Sequence, residues 1–157
     1  MRVLMTGGGT GGHVNPALAI ASVIRRNDPK AEIAFVGTPR GIENKLVGKA
    51  GYPMYHVDVR GFRRSLSPRN IQAAYLALIS PQRAKKIIRD FQPDIVHLHN
   101  IPSYLSPIVA KQAKAYGCKV FWTMHDYKLL CPASACLNKN QICQQCLSDK
   151  KQVVINR

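Results

Sequence analysis

The sequence predicts an α/β domain, a Rossmann-like parallel sheet with helices on both faces. Three observations predict it. Short apolar runs of strand length alternate with longer segments of helical periodicity, serine– or asparagine–proline pairs recur where those segments begin, and a glycine cluster follows the first apolar run directly. At 157 residues and 46% hydrophobic, the chain has the size and apolar content of one ordinary domain with a real core.

Val3–Thr6 reads as the first buried strand because it is apolar and runs straight into glycines. Asn15-Pro16 then opens a helix, with Asn15 as N-cap and Pro16 at the first helical position. Leu18, Ala19, Ser22 and Val23 follow at helical spacing. Glu32–Val36 is the second strand, Gly41–Ala50 a helix and Met54–Val57 the third strand. Ser67-Pro68 and Ser80-Pro81 repeat the cap-plus-proline device and start two further helices, the second running to Phe91. Asp94–Leu98 is the fourth strand, Ser106–Tyr116 a helix and Lys119–Thr123 the fifth strand. Strands joined through helices pair in parallel, and such a sheet holds ligands at the carboxyl ends of its strands.

The segment Gly7-Gly8-Gly9-Thr10-Gly11-Gly12-His13 therefore lies where a ligand is expected. Glycines let a ligand approach the backbone closely. A helix N-terminus offers it amide N–H groups and a positive dipole end. A nucleoside-triphosphate P-loop is excluded, because His13-Val14 stands where Lys-Ser/Thr is required. Gly7, Gly9 and Gly12 satisfy the dinucleotide spacing, but the ribose-binding acid at the end of the second strand is missing: Gly37-Thr38 occupies that place and Glu32 lies at the strand's start. A sugar diphosphate fits the Thr-Gly-Gly-His mouth better than NAD does.

The net charge of +15 favours phosphate-rich partners, namely anionic lipid, diphosphates or nucleic acid. Arg60 to Arg89 holds eight Lys or Arg residues and no acid. Within it, Ile71, Ala74, Tyr75, Leu78 and Ile79 recur at helical spacing as one apolar stripe. Arg63, Arg64 and Arg69 precede the stripe, and Arg83, Lys85 and Lys86 follow it. An apolar stripe rimmed by basic residues suits a helix lying on an anionic membrane; the alternative is a core-facing stripe. Nucleic acid is disfavoured, because this stretch lacks an aromatic platform for bases. No apolar run is long enough to span a bilayer, and the glycines follow Met1 too soon for a signal peptide. These features are those expected of a cytoplasmic chain, and they leave docking on the inner face of the cell membrane as one of the two readings of the stripe.

Gly7–Pro16, Phe35-Val36-Gly37-Thr38, Arg40-Gly41-Ile42-Glu43 and Arg60-Gly61-Phe62-Arg63 resemble the N-terminal domain of the MurG family of peptidoglycan glycosyltransferases over about residues 1–92. The resemblance implies the N-terminal, acceptor-binding half of a GT-B fold. It further implies that Thr10, Gly11, Gly12 and Asn15 contact a polyprenyl-diphosphate-linked sugar acceptor and that His13 is the catalytic or diphosphate-contacting histidine. The sugar, N-acetylglucosamine by resemblance, would come from a UDP-sugar held by a separate donor domain, and no cofactor would be required. After residue 92 the motifs change. His97-Leu98-His99 and His125-Asp126-Tyr127 stand where that family has a second glycine loop and a His-Glu-Gln-Asn segment. With Leu130-Cys131-Pro132, they resemble the acceptor domains of retaining glycosyltransferases of capsule and lipopolysaccharide synthesis. His99 and His125 fall after the fourth and fifth strands, where a sheet of this kind keeps its ligands, and so are substrate-binding candidates, with strand-end histidines bonded to backbone as the alternative. A non-enzymatic membrane-docked binder of lipid diphosphates also remains open.

The acceptor domain is thus expected over 1–128, followed by a cysteine-bearing irregular tail over 129–157, with no donor domain in the chain. Cys131, Cys136, Cys143 and Cys146 run C-x4-C-x6-C-x2-C, a spacing that admits a structural zinc knuckle; unligated thiols are the alternative.

Overall fold

The computed structural model describes residues 1–7, 10–58, 69–99, 108–127, 131, 135–138 and 141–143. Residues 69, 70, 72–74, 77 and 108 are described as backbone alone. The chain divides into two compact units, Met1–Thr123 and Met124–Arg157.

The first unit is built on five strands: β1 (Arg2–Thr6), β2 (Glu32–Gly37), β3 (Met54–His56), β4 (Ile95–His99) and β5 (Lys119–Thr123). They form one parallel sheet in the order β3-β2-β1-β4-β5. Helices α1 (Gly11–Asn27), α2 (Glu43–Lys49), α3 (Arg69–Phe91) and α4 (Ile108–Ala115) lie in the connections. Successive strand residues point to opposite faces, so two cores form. Val3, Met5, Ile33 and Phe35 pack with Val14, Ala17, Ala21 of α1 and Val47 of α2. Leu4, Ala34, Val36, Val96 and Leu98 pack with Ala84, Ile88, Phe91 of α3 and Val109, Ala113 of α4. Burial on both faces explains why the central strands read as nearly unbroken apolar runs.

Two helix starts differ from the sequence-based expectation. The first helix begins at Gly11, with Thr10 as its extended N-cap (φ −141°, ψ 159°), so Asn15 is an exposed residue inside the helix and Pro16 is its sixth residue. The buried face is Val14, Ala17 and Ala21, while Val23 is half exposed. Ser80-Pro81 opens no helix, because α3 runs through it for 23 residues. Proline inside a helix costs about 3 kcal/mol through its missing N–H and ring clash. Leu76, Ser80, Ala84, Ile88 and Phe91 are nevertheless buried along one continuous face. Each large apolar side chain on that face contributes roughly 1.5–3 kcal/mol. Their combined burial outweighs the defect.

The second unit contains a small antiparallel hairpin, β6 (Leu137–Asn138) with β7 (Gln141–Ile142), in the stretch expected to be irregular.

Candidate functional site

The strand order reverses direction between β1 and β4, and in open α/β sheets the crevice beside that switch point takes ligands. Here the register between β1 and β4 ends at Met5↔His97. Beyond it the buried Thr6 hydroxyl continues the connection. The His99 N–H donates to Thr6 Oγ1 at 3.0 Å, and that hydroxyl lies 3.5 Å from the His99 carbonyl. β1 therefore ends in a fixed position as the chain turns towards α1.

At the α1 mouth, the His13 and Val14 N–H groups donate to the Thr10 carbonyl at 3.1 and 3.3 Å. No side-chain cap bonds this end, and no acid stands in the first turn. The positive dipole end of a 17-residue helix is thus not neutralised from within that turn. A Cβ added at Gly11 would come no closer than 3.9 Å to the protein, and one added at Gly12 no closer than 3.7 Å. Among the described residues no packing requires glycine there. Gly7 packs under the same turn, against Ala17 and the backbone of His13 and Val14. Thr10, Gly11, Gly12 and His13 are thus together in one helical turn, whereas Asn15 lies one turn further along on the exposed surface.

His97 and His99 alternate to the same side of β4, with ring centroids 4.5 Å apart. His97 Nε2 lies 2.8 Å from the Thr123 hydroxyl at the end of β5. Burial pushes the His97 imidazole below its ordinary pKa, because charging it would require desolvation. His99 is buried beside Thr6. Thr6, His97, His99 and Thr123 thus line the carboxyl ends of the central and outer strands. His125 belongs to the second unit.

One residue of this region carried no assigned role from sequence. Glu43, at the start of α2, is fully buried. Its Oε1 accepts from the Thr38 N–H at 2.9 Å and from the Thr38 hydroxyl at 2.8 Å. Asn44 Nδ2 donates to the Thr38 and Gly41 carbonyls at 2.8 and 3.0 Å, and its Oδ1 meets His56 Nε2 at 2.6 Å. Together they latch the β2–α2 loop, which carries the exposed Arg40, at the carboxyl end of the sheet. A Cβ on Gly41 would fall 1.9 Å from Glu43 Oε2, and one on Gly37 would fall 2.7 Å from Glu43 Cγ. Glycine at 37, 41 and acid at 43 was the signal available in the sequence. Its meaning needed the fold.

The surface of α3 shows Ile71 at 75%, Tyr75 at 60% and Leu78 at 75% exposure, with Ile79 half-buried. The core-facing alternative is thereby excluded for Ile71, Tyr75 and Leu78. Arg83, Lys85 and Lys86 are exposed. Lys86 is paired with Asp90 four residues on, and this bond, helped by Arg89, holds the Asp90 carboxyl below its ordinary pKa. Arg63 and Arg64 lie outside the described residues, as does the side chain of Arg69. No helix among the described residues is long and apolar enough to cross a membrane. Cys131, Cys136 and Cys143 lie in the second unit, and Cys146 lies outside the described residues.

Comparison with known proteins supplies the family. The curated UDP-N-acetylglucosamine--N-acetylmuramyl-(pentapeptide) pyrophosphoryl-undecaprenol N-acetylglucosamine transferase of Lactococcus lactis subsp. cremoris (strain MG1363) is 49% identical over 96 residues, which cover 61% of this chain and 27% of that protein. The enzyme of the same name from Limosilactobacillus fermentum is 48% identical over 96 residues, 61% of this chain and 26% of that protein. The chain thus spans about a quarter of the length of these relatives. Among solved structures, MurG of Acinetobacter baumannii superposes with a TM-score of 0.66 at 25% identity, over 85% of this chain and 39% of that one. A UDP-GlcNAc 2-epimerase from Neisseria meningitidis shares the fold alone, with a TM-score of 0.51 at 13% identity over 78% of this chain and 32% of that one. The glycosyltransferase family 28 N-terminal domain matches residues 3–118, past residue 92 where the motifs change and through α4. The chain belongs to that family: it is a glycosyltransferase family 28 N-terminal domain with an α/β, GT-B-type fold.

Proposed function

We propose that this chain is the acceptor-binding half of a glycosyltransferase that moves N-acetylglucosamine from UDP-N-acetylglucosamine to an undecaprenyl-diphosphate-linked muramoyl-pentapeptide. The observation that carries this reading is the opening of α1 beside the β1–β4 switch point: the Thr10 side chain does not cap it, no acid stands in its first turn, and among the described residues there is room above Gly11 and Gly12. Its amides and dipole stabilise the acceptor diphosphate. His13, in the same turn, accepts the proton of the acceptor hydroxyl as that oxygen bonds to the sugar carbon and the UDP oxygen leaves. Thr6 and His99 keep the adjoining strand ends in place. The nucleotide-sugar is held by a domain other than this one.

The same reading places the protein on an anionic membrane leaflet, where its lipid-linked acceptor resides. Ile71, Tyr75 and Leu78 enter the interface while Arg83 and Lys85 meet lipid headgroups. Each such cation contributes about 1 kcal/mol near the surface.

Equilibrium binding to a water-soluble, short-chain analogue of the diphosphate-linked acceptor tests the reading. Binding of that analogue, with no comparable binding of NADH, is expected. Preference for the dinucleotide, or no binding of the diphosphate, would overturn it.

A further inference from the structure

We propose that Phe121, with the His97–Thr123 pair beside it, is the subsite for the pyranose ring of the acceptor, next to the α1 mouth that takes its diphosphate. This inference rests on the acceptor-binding reading and assigns the parts of that ligand to separate side chains.

The sheet brings these side chains together. Met5, His97 and Phe121 stand side by side on β1, β4 and β5, and Thr123 stands beside His99. Residues in register on parallel neighbours point to one face. Met5 packs with α1, so His97, His99, Phe121 and Thr123 share the α1 face. The alternate residues of β5, Val120 and Trp122, pack against the opposite core with α3 and α4. Met5 is fully buried, whereas His97 and Thr123 are half-buried and Phe121 is 54% exposed. A large aromatic ring is thus presented on the α1 face, two strands from β1.

Contacts run from the glycine turn out to this ring. Thr6, which ends β1, accepts the His99 N–H at 3.0 Å. The His99 ring lies 4.5 Å from the His97 ring, which meets the Phe121 ring at 6.2 Å and 61°. The Thr123 hydroxyl, 2.8 Å from His97 Nε2, fixes the orientation of that imidazole. Neighbouring strands are about 4.8 Å apart, so Phe121 lies roughly 10 Å across the sheet from β1. One pyranose with its substituents bridges that span.

Charge separates the two parts of the ligand. The α1 mouth offers amide N–H groups and a positive dipole end, which suit a diphosphate. The strip from His97 to Phe121 is uncharged at neutral pH, because burial holds the His97 imidazole below its ordinary pKa and neither phenyl nor aliphatic hydroxyl ionises. In a chain of net charge +15, such a strip does not select an anion. A pyranose suits it. The ring is uncharged, its C–H groups form an apolar face that lies on an aromatic side chain, and its hydroxyls bond to imidazole and hydroxyl groups.

Two ligands test the subsite on the full chain: geranyl diphosphate, and the same diphosphate carrying one N-acetylglucosamine and no peptide. The wild type should bind the glycosylated ligand about tenfold more tightly than the bare one. Phe121→Ala and Phe121→Leu should each remove that advantage while binding geranyl diphosphate within about twofold of wild type. Phe121→Tyr, which keeps a ring, should retain it. Thr123→Val, lacking the hydroxyl that positions His97, should cut the advantage several-fold, and Thr123→Ser should restore it. Far-UV circular dichroism reports the folding of each variant, and the Phe121 variants should melt near wild type because the side chain is more than half exposed. The wild-type comparison requires no variant at all. Equal affinity of the wild type for the two ligands, an unchanged advantage in Phe121→Ala and Phe121→Leu, or an equal loss for both ligands in those variants would overturn the subsite and leave the diphosphate reading standing. Binding of neither ligand by the wild type would overturn both.

Discussion

Two glycine-bearing turns flank the carboxyl end of the sheet, and they use glycine for opposite reasons. At Gly11 and Gly12 an added Cβ meets the protein no closer than 3.7 Å, so the protein itself leaves the space open. At Gly41 the same atom would fall 1.9 Å from the buried Glu43 carboxylate, and at Gly37 it would fall 2.4 Å from Met54 Cε. Among the described residues nothing fills the first turn, whereas the second is filled by its own chain. A glycine-rich motif thus indicates close approach without saying who approaches.

This contrast can be broken by mutation. Glu43→Ala should have the largest effect, about 3 kcal/mol of lost stability, since it opens a cavity and leaves the Thr38 N–H and hydroxyl without their acceptor. Denaturant unfolding followed by circular dichroism measures it; a loss below about 1 kcal/mol would mean the latch is not structural. Gly41→Ala should cost roughly 1–3 kcal/mol in the same experiment, because the carboxylate must move. Gly12→Ala should change stability by less than about 0.5 kcal/mol, its site being open. It should nonetheless weaken binding of the diphosphate acceptor analogue by roughly tenfold, a loss of about 1.4 kcal/mol. Equal damage to stability from the alanine at 12 and at 41 would erase the distinction between the turns.

Smaller effects sharpen the comparison elsewhere. Tyr75→Ser with Leu78→Ser should leave the thermal midpoint nearly unchanged, since both side chains are exposed. The double variant should lower co-sedimentation with phosphatidylglycerol vesicles several-fold. A large drop in midpoint instead would show that the stripe is packed. Last, His97 has a folded pKa below its unfolded value of about 6.5. Below that pH the unfolded chain binds the proton first, so stability is full above pH 6.5 and is lost as pH falls towards the folded pKa. His97→Gln should flatten this acid slope in unfolding midpoints compared between pH 7.5 and 5.

Much of the fold was legible in the primary structure, for a local reason. Val3–Thr6 and Glu32–Val36 read as strands because burial on both faces demands unbroken apolar runs, the edge strand Lys119–Thr123 reads as one from its short apolar run alone, and all three agree with the observed strands within a residue. Helix boundaries were less legible where proline was the guide. Asn15-Pro16 and Ser80-Pro81 carry the chemistry of helix starts, yet both lie within helices, since proline's local penalty is overridden by packing that spans it. The α3 stripe was visible as periodicity, but which face meets the sheet was not. Leu76, Ala84 and Ile88 form one apolar row and Ile71, Tyr75 and Leu78 another, and periodicity alone does not choose between them.

The sequence by itself determined the sheet's strands, the place of the glycine turn at a helix mouth, the strongly basic character and the spacing of the four cysteines. Each depends on neighbours within a few positions along the chain. The tertiary structure alone decided that Thr6 would staple β1 to His99, that Glu43 would fill the second turn, and that Cys136 would face Cys143 across a hairpin. Those relations join separate segments, from 5 residues apart at Thr38 and Glu43 to 93 at Thr6 and His99. Hydrogen bonds and steric exclusion of this kind act through space, so even where a local signal exists, as with the glycines at 37 and 41 and the acid at 43, the sequence does not say which groups will meet.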